Sequence, residues 1–179
     1  MVGDPAAETR QWIERIVIGL NLCPFARRVF DGGTIRYAVT DATDTVALLN
    51  DLTRELRHLV EQPIAAVETS ILIHPRVLQG FLDYNDFLSD ADELLASLGL
   101  NGIVQIASFH PQYRFAGTKP DAVENFTNRS PHPMLHLLRE ASITKVAGDP
   151  AFLQGIPQRN IAALKALGIA KLRALHPAS

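Results

Sequence analysis

Apolar residues recur along the chain with two different spacings, and these predict an alternation of helices and strands. Helical spacing predicts three helices in the first hundred residues, over residues 5–20, 43–60 and 77–98. Alternating or continuous apolar runs predict three strands, over residues 34–40, 65–73 and 103–109. We expect the first strand at a sheet edge. The second ends in a continuous apolar run and is expected in the centre of the sheet, buried on both faces.

After Phe109 the apolar pattern breaks. Residues 110–132 are polar, contain proline and glycine, and show no sustained period. A connection of this length is unusual in a compact domain, so we expect a functional loop. Pro133 is predicted to begin a helix through residues 134–146, and a last helix is predicted from Gly155 to Gly168.

The order of these elements predicts the fold class. Strands separated by helices are typical of parallel sheets with helical crossovers. We therefore predict a single compact α/β domain over residues 1–179, with a small, mainly parallel sheet flanked by helices. A ferredoxin-like two-layer sandwich is the alternative.

The composition of the chain argues against nucleic-acid and membrane partners. The chain has 179 residues, a net charge of −2 and 7% aromatic residues, so a nucleic-acid surface is not expected. No apolar run reaches the ~18 residues that span a bilayer, and no signal peptide is apparent near the start. A single cysteine cannot form an internal disulfide. We expect a cytoplasmic protein without nucleic-acid or membrane partners.

Reactive side chains repeatedly precede proline in this chain. Five of the eleven prolines follow a cysteine or a histidine, although random placement of one cysteine and six histidines would give about 0.4 such steps. Proline ends strands and begins helices, so these side chains are expected at the ends of elements. The five steps are Cys23-Pro24, His74-Pro75, His110-Pro111, His132-Pro133 and His176-Pro177.

Three of these residues form a candidate catalytic site. His74 and His110 both end predicted parallel strands, so both are expected at the carboxyl edge of the sheet, where open α/β sheets bind ligands. Cys23 could join them as a nucleophile or as a third metal ligand. Zinc or another transition metal would suit such a ligand set. The alternative is structural: histidines that cap strands, and a buried cysteine.

The loop supplies a candidate anion site. Arg129 lies just before a predicted helix N-terminus, with Asn128 and Ser130 beside it, and such a position favours a carboxylate or phosphate. Arg114 and Lys119 are further candidate substrate-binding cations. The alternative is a solvated loop held by its own hydrogen bonds and salt bridges.

His132 and His136 are four residues apart, a spacing that allows two imidazoles on one helical face to share a metal. The signal is weak, because no glutamate follows His132 and because Pro133 makes His132 the expected N-cap of the helix. A core or supporting position is the alternative for His136.

Three longer motifs carry a family resemblance. They are the segments Asn21–Ala26, Ile106–Thr118 and Asn128–Glu140. In these motifs, and over about Glu8 to Gly168, the chain resembles the uncharacterised bacterial family called domain of unknown function fourteen-fifteen. The resemblance implies no activity, substrate or cofactor. Cys23, His110, Arg129 and His136 match motif positions, whereas the family often has tyrosine in place of His132, which weakens the metal pair.

Two functions follow from these patterns. The first is a cytoplasmic enzyme with a Cys/His site, either metal-bound or nucleophilic, that acts on a small anionic substrate. His110 would be its general base or a metal ligand, and His74 its partner. The second is a non-catalytic ligand-binding or protein-interaction domain with structural histidines.

Overall fold

The computed structural model describes residues 3–147 and 154–175. Within them, four strands form one sheet, with the bounds Ile35–Val39 (β1), Thr69–Ile73 (β2), Val104–Phe109 (β3) and Met134–Arg139 (β4). Their order across the sheet is β1-β2-β4-β3. β1 pairs with β2 in parallel, and β4 is antiparallel to both of its neighbours. β1, β2 and β3 therefore all run in the same direction.

The predicted α/β class is confirmed, but the prediction of a mainly parallel sheet is wrong. The sheet is mixed because residues 134–139 form β4 rather than the predicted helix. Met134, Leu135, Leu137 and neighbouring residues form a short apolar run that is covered on both faces. A strand buried in this way loses the alternation that would distinguish it from a helix.

Helices account for most of the remaining described structure. Their bounds are Pro5–Trp12 (α1), Ala26–Asp31 (α2), Thr45–Glu61 (α3), Phe81–Ser97 (α4), Glu140–Ala147 (α5), Ile156–Leu167 (α6) and Ile169–Leu175 (α7). A π-helical segment, Ile13–Ile18, continues α1, and a 3-10 helix covers Val123–Thr127. The helices predicted from residues 5, 43, 77 and 155 are thus all present. The step at His176 lies outside the described residues.

Local side chains explain where several helices begin and end. The Asp4 carboxylate accepts a hydrogen bond from the Ala6 amide at the start of α1, and Asp44 accepts one from Ala47 at the start of α3. Both bonds satisfy amides that have no partner within the helix. After α4, Gly99 has a φ of +70°, a conformation that favours glycine and ends the helix.

The sheet separates two apolar layers. On one face α3 and α4 pack against Leu72, Leu135 and Leu137. On the other face the N-terminal helices, together with α6 and α7, pack around Ile71, Met134 and other strand residues. Because side chains alternate along a strand, each strand contributes to both layers. The second layer contains the candidate site.

Candidate functional site

A cavity of about 380 Å³ lies between the sheet and the N-terminal helices. Its volume falls within the range of small-molecule sites. The N-terminal layer supplies one wall: Trp12, Ile13, Val17, Cys23, Phe25, Ala26, Arg28 and Val29. The sheet and α5 supply the other: Ile35, Glu68, Thr69, Ile71, Gln105, Ala107, Phe109, Met134, His136, Leu138, Arg139, Ser142 and Ile143.

The strand residues that line the cavity form its floor. The register of the strands places apolar residues at one end of this floor and polar residues at the other. Phe109 pairs with Met134 at one end of the floor. Ile71 and Ala107 flank His136 in the middle. Thr69 and Gln105 flank Leu138 at the other end. The row with Phe109 and the row with Gln105 are four residues apart along β3, which corresponds to about 13 Å.

Charged side chains lie beyond the polar end of this floor. Glu68 directly precedes β2, and Arg139 ends β4. Arg28 of α2 binds the Glu68 carboxylate through both terminal nitrogens and so joins the two walls. These groups lie at the amino-terminal edge of β2 and β3, opposite the carboxyl edge that the sequence predicts for the site.

His136 is the titratable side chain in the middle of the floor. Burial lowers its pKa to about 4, so the ring is neutral at pH 7. The Thr69 hydroxyl donates its single proton to the Leu137 carbonyl at 2.7 Å. It must therefore accept the bond from His136 Nε2, also at 2.7 Å, so Nε2 carries the ring proton. The other nitrogen, Nδ1, is left with a lone pair.

Cys23 lines the same cavity. Burial raises the pKa of its thiol, against smaller opposite effects from the Phe25 and Ala26 amides. The thiol form therefore predominates at neutral pH, whereas nucleophilic attack needs the thiolate. Cys23 packs with the N-terminal layer, on the other side of the sheet from the α4 layer that contacts His74 and His110.

The Trp12 indole N–H has no hydrogen-bond partner among the described residues. Its ring meets Phe109 edge to face, with the centroids 5.5 Å apart. The side chain is 4% exposed, and its indole Nε1 is buried without a hydrogen-bond partner among the described residues. Such a donor is costly to leave unsatisfied.

His74 and His110 occupy the same carboxyl edge, as their parallel strands predict, but β4 lies between β2 and β3. Two strand spacings, about 10 Å, therefore separate their strands. The Tyr84 ring lies 5.8 Å from His74 and 5.0 Å from His110, centroid to centroid.

Backbone groups occupy most of the nitrogens of these two rings. His110 Nε2 donates to the Leu78 carbonyl at 3.1 Å, and its Nδ1 accepts from the Gln112 amide at 3.0 Å. His74 Nδ1 donates to the Val77 carbonyl, and its Nε2 is buried without a partner. A role for His110 as base or ligand stays a prediction, and it would require the loss of one of these two bonds.

The predicted anion anchors hold the loop together. Arg129 donates to the carbonyls of Tyr113 and Pro120, and its guanidinium lies 4.5 Å from the centre of the Phe126 ring. Asn128 donates to the Ser108 carbonyl, and the buried Ser130 hydroxyl donates to the His132 carbonyl. An anion would compete with these bonds.

The remaining predicted binding residues do not form one cluster. Arg114 and Lys119 are exposed, and Arg114 Nε donates to the Thr118 carbonyl. His132 precedes β4 and pairs with Glu8 at 2.6 Å, whereas His136 is within the strand. The helical spacing on which the His132/His136 metal pair depended is therefore absent.

The three-residue site is not assembled. Cys23 lies on the other face of the sheet from the pair His74 and His110. No group of three or more His, Cys, Asp or Glu side chains that could hold a metal ion occurs within residues 3–147 and 154–175. A zinc or other transition-metal site therefore stays a prediction.

The cavity brings together residues that the sequence pattern does not place in one site. Cys23 and His136 share the cavity, and Trp12, Arg28 and Arg139 were not among the candidates. As a strand, residues 134–138 place His136 on one face with Met134 and Leu138, but the apolar residues on both sides of His136 give no alternation that would have indicated this.

Comparisons with known proteins identify the family. In the part of the chain that the structure describes, no helix is long and apolar enough to cross a bilayer. No curated protein and no solved structure gives a significant match to the chain. A family model described as "Protein of unknown function (DUF1415)" matches residues 4–174, and the chain therefore belongs to that family.

Proposed function

We propose that this chain binds a small, largely apolar organic molecule in the cavity between the sheet and the N-terminal helices. The observation that carries the proposal is the 380 Å³ cavity, which is apolar at the Phe109 and Met134 end and polar at the other. Ligand sites commonly combine an apolar wall with a few polar groups that set orientation.

Two polar groups of the wall are available to such a ligand. The Trp12 indole offers a donor without a protein partner. His136, with its proton on Nε2, offers an acceptor at Nδ1. The cavity therefore suits a molecule that combines an apolar body with a hydrogen-bonding group.

The chemistry of the cavity favours binding over covalent catalysis. A histidine whose pKa is about 4 is a weak base at pH 7. Burial also keeps Cys23 in its thiol form. These states support the ligand-binding alternative more directly than a Cys/His nucleophilic site.

Octan-1-ol is a suitable probe because it is uncharged and does not absorb where tryptophan does. The chain has one tryptophan and one cysteine, and both line the cavity. We expect octan-1-ol to change the Trp12 emission saturably and to slow alkylation of Cys23 by iodoacetamide over the same concentration range. If neither signal saturates, the proposed function is wrong.

Ala107→Leu should reduce the binding of octan-1-ol at least about tenfold, because the larger side chain fills the middle of the floor. Ala116→Leu, the same change at an exposed loop position, is the matched control and should bind as the wild type does. Equal affinities in the two variants would show that the probe binds elsewhere.

The same substitution provides a stability test of the cavity. Ala107→Leu should change the free energy of unfolding by less than about 1 kcal/mol, because open volume adjoins the side chain. Ala91→Leu enlarges a fully buried residue between α4 and its neighbours and should cost about 1–3 kcal/mol. Urea unfolding measures both values, and equal costs would contradict the cavity.

A further inference from the structure

We infer that the ligand of this cavity carries a carboxylate group, held by the arginines at the amino-terminal edge of the sheet. The inference rests on the proposed function and specifies the chemical class of the ligand. It assigns the carboxylate to Arg28 and Arg139, and the apolar chain to the Phe109 end of the floor.

The charge balance of the cavity wall is the first argument. Its charged members are two arginines, Arg28 and Arg139, and one carboxylate, Glu68. One carboxylate thus faces two cations in the cavity wall, and a second anion would balance this charge.

The hydrogen bonds of Arg139 are the second argument. Its Nη2 group donates to the carbonyls of Leu59, Gln62 and Val67, which anchor the guanidinium after the end of α3. The Nε–H of the same group is buried and has no partner among the described residues. These carbonyls hold the guanidinium on the α3 side of the sheet edge, and Arg139 also lines the cavity, so an oxygen acceptor that reaches this edge could satisfy the unused donor.

The position of Arg28 is the third argument. Its side chain is 53% exposed, whereas that of Glu68 is 7% exposed, so the arginine forms the solvent-facing half of this pair. A ligand carboxylate that reached this edge would meet Arg28 from the cavity side and share it with Glu68. Neutral donors and acceptors are also present, because Gln105 and Ser142 line the same end.

The floor also matches the polarity of such a ligand. Its apolar end, with Phe109 and Met134, lies about 13 Å from the row that contains Thr69. An eight-carbon chain whose carboxylate is near Arg139 extends along this floor. The reverse orientation would bury a charge beside Phe109 and is disfavoured.

Three probes that differ only in the head group test the inference. Octanoate, octan-1-ol and octylammonium are titrated at pH 7.5 against the Trp12 emission and Cys23 alkylation. We expect octanoate to bind at least about tenfold more tightly than octan-1-ol, and octylammonium to bind more weakly than either. Equal binding of octanoate and octan-1-ol would overturn the inference and leave the proposed function intact, whereas no binding of any probe would refute the proposed function.

Two substitutions of opposite sign locate the head group. Arg28→Gln removes an exposed cation and should weaken octanoate about tenfold. Glu68→Gln removes the competing carboxylate and should tighten octanoate, while octan-1-ol binds equally to both variants. Arg54→Gln, at an exposed position on α3, is the matched control and should have no effect. If Arg28→Gln and Glu68→Gln change octanoate binding in the same direction, the assignment to this edge is wrong.

Discussion

Acidification from pH 7 to pH 5 should reduce the free energy of unfolding by about 4 kcal/mol through His74 and His136. Burial lowers the pKa of both His74 and His136 to about 4, whereas the unfolded chain has the ordinary value of 6.5. Below pH 6.5 the unfolded state therefore binds protons that the folded state does not bind, and stability falls as the pH falls toward 4. Each histidine contributes about 2 kcal/mol between pH 7 and pH 5.

The environments of the two rings explain the direction. The His74 Nε2 atom is buried without a partner, so a proton there would have no acceptor. His136 has its single hydrogen bond on the nitrogen that is already protonated. The carboxylates Glu55 and Glu68 also have lowered pKa values, but their contribution is lost only below their ordinary value of 4.5. Burial also lowers the pKa of His110, whose contribution has the same sign, so the range from pH 7 to pH 5 reports mainly on the histidines.

Urea unfolding measured at half-unit intervals of pH tests this expectation. His136→Gln places an amide donor near the position of Nε2 and preserves the bond to Thr69, but it does not titrate. Its loss of stability between pH 7 and pH 5 should be about 2 kcal/mol smaller than that of the wild type, which is the share of one such histidine. A variant that retained the full wild-type pH dependence would show that His136 is not one of the two groups.

Tyr84→Phe should lower the free energy of unfolding by about 1–3 kcal/mol, although it removes a single oxygen atom. The Tyr84 hydroxyl donates to the Met134 carbonyl at 2.8 Å and accepts from the Phe109 amide at 3.0 Å. It thereby joins α4 to the neighbouring ends of β3 and β4. Without it, two backbone groups at the end of the β3–β4 pair lose a side-chain hydrogen bond, and such a loss is costly where the group is buried.

Tyr113→Phe provides the matched control. Tyr113 lies in the 110–132 loop and is partly exposed, and no hydrogen bond of its hydroxyl is present among the described residues. Its substitution should change the free energy of unfolding by no more than about 0.5 kcal/mol. The two variants are compared by urea unfolding at pH 7.5, and equal effects would mean that the Tyr84 hydroxyl does not stabilise the strand ends.

Elements with a clear local period were predictable from the sequence. Helical spacing predicts a buried stripe on α3 from Val46, Leu49, Leu52, Leu56 and Leu59. The last three are fully buried together with Leu48, whereas Leu49 is partly buried and Val46 is exposed. The apolar run of β2 is buried along its length, which is typical of a central strand. β1 is at the sheet edge, as its alternation indicates.

The segment that forms β4 could not be assigned from local periodicity. Residues 134–138 form an apolar run that satisfies a helical or a buried-strand pattern equally well. Burial between two helical layers decided in favour of the strand, and no local signal announces that burial. Because β4 was assigned to a helix, the position of His136 in the sheet, and with it the cavity, was not predictable.

The sequence by itself determined α1, α3, α4, α6, β1, β2 and β3, because their local periods depend on neighbours within a few residues along the chain. Only the tertiary structure decided that β4 inserts between β2 and β3. That insertion depends on contacts such as the bond from His136 to Thr69, which spans 67 residues of sequence. It separates the strands of His74 and His110, and it places His136 beside Cys23 on the opposite face, because each strand directs alternate side chains into different layers.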